Sequence, residues 1–315
     1  MVAGSSSPRL DLYRTITQTV IDQIEAGAGV YRMPWHHDGS PMSRPRNAVV
    51  CNRYRGINVL ALWIAARVSG YPTGLWATYR QWQLKGAQVR SGERGTLVVF
   101  WKKLDQAGEP LVEDDDDRTE APRRFVARGF WVFNVAQVDG FSPIVLPDLP
   151  ESERIDRAEE FWRRLGITTR YGGDEAYYVP TEDRVQMPSF EWFRDAGSFY
   201  ATLLHEGAHA SGASHRLGRD LSGRFGSEAY AMEEMIADWA SCLACMTLTL
   251  TPEPRRDHAQ YIASWLKALR GDPRAVFTAA SKAQQIVDWM WGRQVAEAAT
   301  PDASNAGKPS ASAQV

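Results

Sequence analysis

Two histidines four residues apart, with a glutamate after the first, stand out as the residues of this chain best suited to chemistry: His205, Glu206 and His209 in SFYATLLHEGAHASG. On a helix, a spacing of four brings both imidazoles to one face, where two nitrogens can share a divalent metal ion. Glu206 lies beside them and can reach a water in the same space, acting as its general base while the metal lowers that water's pKa. The ion expected from this donor set is Zn2+, one per chain, and the reaction expected is hydrolysis of a peptide bond. A purely structural zinc has a closed ligand shell and needs no base.

Such a centre needs a third ligand. From Ser227, SEAYAMEEMIADWASCLACMTL reads as a long helix on which Glu234 and Asp238 share a face, and Glu234 lies 25 residues after His209. Glu234 is therefore expected to complete the sphere, and Asp238, one turn on, to accept a hydrogen bond from a ligating imidazole. HEGAHASGASH also fits HExxHxxGxxH, which would make His215 the third ligand instead. That pattern requires a downstream Met-turn, yet Met232, Met235 and Met246 all lie inside a helical pattern. Cys242 and Cys245 form a CxxC, but mid-helix among Leu243, Ala244 and Met246 they read as small buried apolar groups and free thiols. His36, His37 and His258 have no ligand partners close in sequence and read as surface or loop residues.

The elements that must position these groups follow from periodicity. Ser198 is a candidate N-cap and Gly212 a stop for the histidine helix. Upstream, Leu12, Ile16, Val20 and Ile24 recur every fourth residue, one buried face of a helix that Gly27 ends, and Asn58 to Ser69 reads as a buried helix closed by Gly70. TLVVFWK and FVARGFWVFNVAQV carry the β-branched and aromatic residues of strands, forming a long hairpin around a mobile acidic loop at 113–117. A helix over 152–165 and short strands at 168–171 and 176–179 precede the histidine helix. The expected fold is α+β: an N-terminal domain over 8–141 with antiparallel strands, a Pro-spaced linker at 142–152, a mainly helical domain over 153–296, and a disordered Ala, Ser and Pro-rich tail at 297–315.

Length and composition, 315 residues with 44% hydrophobic side chains and 12 Trp, allow two cores of ordinary size. Three cysteines are too few for a disulfide framework, no apolar run is long enough to cross a membrane, and the opening residues lack a signal-peptide pattern. A cytoplasmic protein with no membrane partner is expected. The net charge of −2 conceals a segregation: residues 1–104 hold fourteen basic side chains against five acidic ones. Rings and cations interleave there, and Arg55, Trp76, Tyr79, Arg80, Lys85, Arg90, Arg94 and Lys102 are the candidates for holding single-stranded DNA, cations on phosphates and rings on unstacked bases. The same rings can equally belong to the core.

With these residues in view, the chain resembles the ArdC-type antirestriction proteins of plasmids and other mobile elements. The similar segments in the N-terminal half are MPWH, YRGINVLALW, WATYRQWQLKGAQVRSGERGTLVVFWK and GFWVFNVAQVDG. In the C-terminal half they are DRVQMPSF, YATLLHEGAHASG, HRLGR, FGSEAYAMEEMIAD and YIASWLKAL. The resemblance implies a single-stranded-DNA-binding domain followed by a zincin-like metallopeptidase domain, with a role in protecting incoming DNA from restriction, and it favours Glu234 over His215. Two departures are the acidic insertion near 113–117 and Asp238, where many relatives are expected to carry Glu. Two functions compete. One is a zinc peptidase, with an unknown protein or peptide substrate, guided to DNA by its basic domain. The other is a protein that coats entering single strands and keeps the metal site for structure or weak cleavage.

Overall fold

A computed structural model describes residues 11–27, 44–104, 124–142, 151–193, 195–223, 227–250 and 259–298. The acidic stretch, most of the connector, His36, His37, His258 and the tail beyond Ala298 lie outside them. The fold is α+β, as the sequence leads one to expect.

In the N-terminal half, helix α1 (Leu12–Gly27) buries Ile16, Val20 and Ile24, the fourfold stripe of the sequence. Helix α2 (Ile57–Ser69) is buried along nearly its whole length and ends at Gly70, whose φ of 67° is the left-handed conformation a glycine adopts without strain. Four strands form a mixed sheet in the order β1 (Arg46–Asn47), β2 (Leu75–Thr78), β5 (Arg124–Asn134), β4 (Thr96–Leu104). The expected hairpin is the β4–β5 pair, antiparallel from Thr96 opposite Val132 to Leu104 opposite Arg124. β4 is an edge strand, and α2 closes part of that edge: the Asn58 amide donates to the Val99 carbonyl and accepts from the Val99 N–H, both at 2.7 Å. A short helix α3 (Tyr79–Leu84) starts at a Thr78–Gln81 capping box, and the two-residue strands β3 (Gln88–Val89) and β6 (Val138–Asp139) pair beside it.

The C-terminal half opens with helix α4 (Glu151–Leu165) and a three-stranded sheet. β9 (Arg184–Met187) is its centre, parallel to β7 (Thr168–Tyr171) and antiparallel to β8 (Tyr177–Val179). Helices α5 (Ala196–Ala210), α6 (Glu228–Thr247), α7 (Ala259–Gly271) and α8 (Ala275–Ala298) complete it.

The two halves share one apolar cluster, which runs from Val20 of α1 and Trp63 of α2 to Trp239 of α6 and Ile286 of α8. Polar contacts cross the same boundary. Thr17 donates to the Pro273 carbonyl at 2.6 Å, Arg55 meets Asp288 at 2.5 Å, and Arg44 reaches Thr247 and Gln284 at 3.2 and 3.3 Å. Among the described residues no helix is long and apolar enough to cross a membrane.

Candidate metal centre

The histidine helix begins three residues before its sequence-expected cap. Asp195, not Ser198, is the N-cap of α5, its carboxylate accepting from the Ser198 N–H at 2.7 Å and from the Ser198 hydroxyl at 2.8 Å. An aspartate satisfies the same orphan donors and adds a negative charge at the positive end of the helix. The first turn then holds Ser198 inside the helix, and the helix ends at Ala210 before Gly212.

α5 lies deep. Gly207, between the two histidines, faces α4 so closely that a Cβ there would meet the Trp162 ring at 2.6 and 3.2 Å. On its other side α6 is fastened by Ser241, whose hydroxyl donates to the Ala201 carbonyl at 2.7 Å. The two helices thereby turn Glu234 towards His205 and His209. The facing nitrogens of the two imidazoles, Nε2 of His205 and Nε2 of His209, lie 3.1 Å apart. Glu234 Oε2 is 3.4 Å from the first and Oε1 is 3.5 Å from the second. Tetrahedral ligands at zinc bond lengths stand about 3.3–3.4 Å from one another, close to the spacing of the two nitrogens and of each nitrogen with one Glu234 oxygen. Two neutral nitrogens and a carboxylate are also the donor types such a metal takes. The residues therefore fit a divalent ion.

The electrostatics point the same way. Burial alone would lower the His209 pKa, but its hydrogen bonds to Glu233 and Glu234 and the charges of Glu234 and Glu206 push it up to about 10. Glu234 is held well below the usual carboxylate range: burial opposes this, and His205 and His209 outweigh it. The pocket thus favours positive charge between the imidazoles and the carboxylates. Glu206 is buried beside them on the same helix.

Glu233 is a residue that sequence reasoning missed. Its Oε1 lies 3.5 Å from His209 Nδ1, so the residue before Glu234 brings a second carboxylate to this ring. Arg219 fixes that carboxylate at 2.7 Å and also donates to the Ala208 carbonyl and the Ser211 hydroxyl, each at 2.7 Å. Asp238 is itself buried, one turn further along α6, where its charge, after burial, helps to raise the thiols of Cys242 and Cys245. Both cysteines are free and buried, and Cys245 is pushed up to about 12, which suits small apolar groups rather than reactive thiols. His215 is exposed outside the cluster, its Nε2 3.3 Å from Asp183. Arg216 holds the same aspartate through two contacts of 2.6 and 2.9 Å.

The candidates for DNA contact divide. Trp76 is a correction: its ring is fully buried in β2, edge-on to Tyr71 at 5.8 Å, and presents no face to a base. The interleaved pattern cannot tell a core ring from an exposed one, because both occupy strand positions. Arg55 is engaged with Asp288, and Arg90 with Glu93 at 2.8 Å and with the Ala136 carbonyl at 2.5 Å. Tyr79 is exposed and its hydroxyl accepts from Gln88 at 3.1 Å. Arg80, Lys85 and Arg94 are exposed. The side chain of Lys102 lies outside the described residues. Besides Tyr79, the exposed rings among the described residues of the N-terminal half are Phe100, Trp101, Phe130 and Trp131 of the β4–β5 hairpin.

Two families match the chain. Residues 10–133 match the family described as the N-terminal domain of anti-restriction factor ArdC, and residues 156–282 match the zincin-like metallopeptidase family. A protein of Sinorhizobium fredii (strain NBRC 101917 / NGR234), called uncharacterized protein y4eC, is 59% identical over 284 residues, covering 90% of this chain and 92% of that one. A DNA primase TraC of Escherichia coli is 36% identical over 296 residues, which is 90% of this chain but only 20% of the primase. A second such primase is 37% identical and is spanned to 28% of its length. Among solved structures, the metal-free antirestriction ArdC protein from the R388 plasmid superposes with a TM-score of 0.72 at 34% identity, over 91% of this chain and 99% of that one. Its Mn(II)-bound form gives 0.71 at 35% identity, over 90% and 98%.

Proposed function

The chain belongs to the ArdC family of antirestriction proteins, and from that premise and the geometry of its buried cluster we propose that it is a zinc-dependent peptidase that binds single-stranded DNA and protects incoming mobile-element DNA. The observation that carries the enzymatic part is the meeting of His205 Nε2 with His209 Nε2 at 3.1 Å and of each nitrogen with one oxygen of Glu234, at 3.4 and 3.5 Å. In this reading those three residues hold one Zn2+ per chain. When bound, the ion supplies electrophilic polarisation of a peptide carbonyl and acidifies a water. Glu206 takes the proton of the attacking water on its carboxylate and returns it to the amide nitrogen that leaves. Glu233, fixed by Arg219, holds the His209 ring in place through Nδ1, so that Nε2 keeps its direction.

The DNA part is supported by the basic excess of residues 1–104 and by the exposed Arg80, Lys85 and Arg94. The relatives called antirestriction proteins and DNA primases also act around DNA, by their names. The experiment that tests the peptidase reading incubates zinc-loaded full chain with host nucleoid proteins and maps new termini by mass spectrometry, wild type against Glu206→Gln. Cleavages present with the wild type and absent with the variant, at equal zinc content, are expected. The same cleavage with both would remove Glu206 as the base, and no cleavage with either would leave the chain a DNA-binding protein with a metal site.

A further inference from the structure

A cleft of about 680 Å³ opens where the two halves meet, between α1, α2 and β4 on one side and α8 with the residue before it on the other. That volume is in the range of sites that enclose a small ligand. Three rings line it in sequence: Trp101 of β4 lies 6.0 Å from Tyr13 of α1, and Tyr13 lies 4.7 Å from Phe277 of α8. Trp101 remains 46% exposed in spite of these neighbours, so part of its face is open to the cleft. Its position follows from the hairpin register, which pairs Trp101 with Ala127 and so turns it to the side on which Leu12 crowds Gly129.

Cations surround the rings. Arg274 lies over the Tyr13 ring at 5.2 Å, Lys282 is exposed two turns along from it, and Arg55 stands at the α2 end. Arg55 is paired with Asp288 at 2.5 Å, whereas Arg274 lies over a ring and Lys282 acts on Asp220 through its charge alone. Arg274 and Lys282 are eight residues apart, about 12 Å along a helix, far enough to meet different phosphates of one chain. An apolar protein segment would leave these charges desolvated and unpaired, whereas a nucleobase offers a flat face to Trp101 and its phosphates offer charge to the two cations.

We propose that this cleft seats a single strand of DNA, so that α8 of the metallopeptidase half supplies part of the nucleic-acid site. The inference rests on the DNA-binding reading above and gives it a location that the ring and cation pattern of residues 55–102 alone did not indicate. It also makes the bound strand a bridge between the halves.

The test measures binding of a fluorescently labelled oligodeoxythymidylate to the full chain by anisotropy at several salt concentrations. Trp101→Leu and Arg274→Glu/Lys282→Glu are each expected to weaken binding at least tenfold, the second also flattening the salt dependence by about two phosphate contacts. Arg170→Glu on β7, exposed and away from the cleft, is expected to change affinity less than threefold, and the α3 variant Arg80→Glu/Lys85→Glu is expected to weaken binding less than the cleft variants do. Lys282→Glu alone, at an exposed position, keeps the test valid should a double variant fold poorly, and is expected to weaken binding about threefold or more. Photocrosslinking of wild type to an oligonucleotide carrying 4-thiothymidine is expected to place adducts on Trp101 or Phe277. Wild-type affinity in Trp101→Leu and Lys282→Glu, with loss in the α3 variant, would overturn the cleft while leaving DNA binding intact. A wild-type chain that binds no oligonucleotide at low salt would overturn both.

Discussion

Arg219 grips Glu233 at 2.7 Å while Glu233 faces Nδ1 of His209 at 3.5 Å, so a loop residue ten positions beyond the histidine sets the orientation of that ring. Both partners are largely buried. Arg219→Met should therefore destabilise the fold by about 3–5 kcal/mol, because it leaves the Glu233 charge in a desolvated place without its cation. Glu233→Gln keeps the volume and should fold, but weaken metal affinity about 10–100-fold. Chemical denaturation of the first and metal titration of the second check these outcomes. Wild-type metal affinity in Glu233→Gln would show that the contact does not position the ligand.

Gly207→Ala places a methyl 2.6 Å from the Trp162 ring, closer than real contacts allow. Helix α5 must then move from α4, at a cost of about 1–3 kcal/mol. The same movement presses α5 against α6 and shifts His205 and His209 relative to Glu234, so both the melting temperature and zinc affinity should fall. A variant with wild-type melting and affinity would mean that Trp162 yields at no cost.

The helix start offers a finer test. Asp195→Ala removes the acceptor of the Ser198 N–H and hydroxyl and should cost about 1 kcal/mol, whereas Ser198→Ala, inside the first turn, should cost less. Equal losses in urea denaturation would return the cap to Ser198.

How much of this was legible in sequence depends on the kind of signal. His205 and His209 needed only helical spacing, and the helix that carries Glu234 announced itself by composition. Glu233 escaped because a spacing argument looks one turn along a helix, to Asp238, and not to the adjacent residue. Whether that neighbour reaches the other histidine depends on how α6 crosses α5. Arg219 sits in HRLGRD, which has no period, so nothing local connects it to the metal centre. Strand β9 shows alternation over four residues only, with Val185 and Met187 buried, too short to stand out from a loop. In the N-terminal half the residue types suggested a DNA surface, but the sides on which they lie were not readable. Trp76 went to the core while Trp101 and Trp131 stayed outside, a choice made by the β2–β5 and β4–β5 registers.

The shared apolar cluster bears on modularity. Because α1 and α2 bury side chains in the same cluster as α6 and α8, the full chain should unfold in one calorimetric transition, and Trp63→Ala, in the N-terminal half, should lower the temperature at which the metal centre is lost. Removing a side chain of this size from a core costs about 3–5 kcal/mol. Two separate transitions, with the second unmoved by the substitution, would show that the halves fold independently.

The central claim is that His205, His209 and Glu234 hold one metal ion and that His215 does not. Zinc content per chain after dialysis against a mild chelator, measured by inductively coupled plasma mass spectrometry on wild type, His215→Ala and Glu234→Gln, tests it most directly. The account predicts close to one zinc per chain in wild type and His215→Ala, with affinity reduced at least tenfold in Glu234→Gln, which lacks the charge that offsets the ion. Zinc lost from His215→Ala and retained in Glu234→Gln would contradict it.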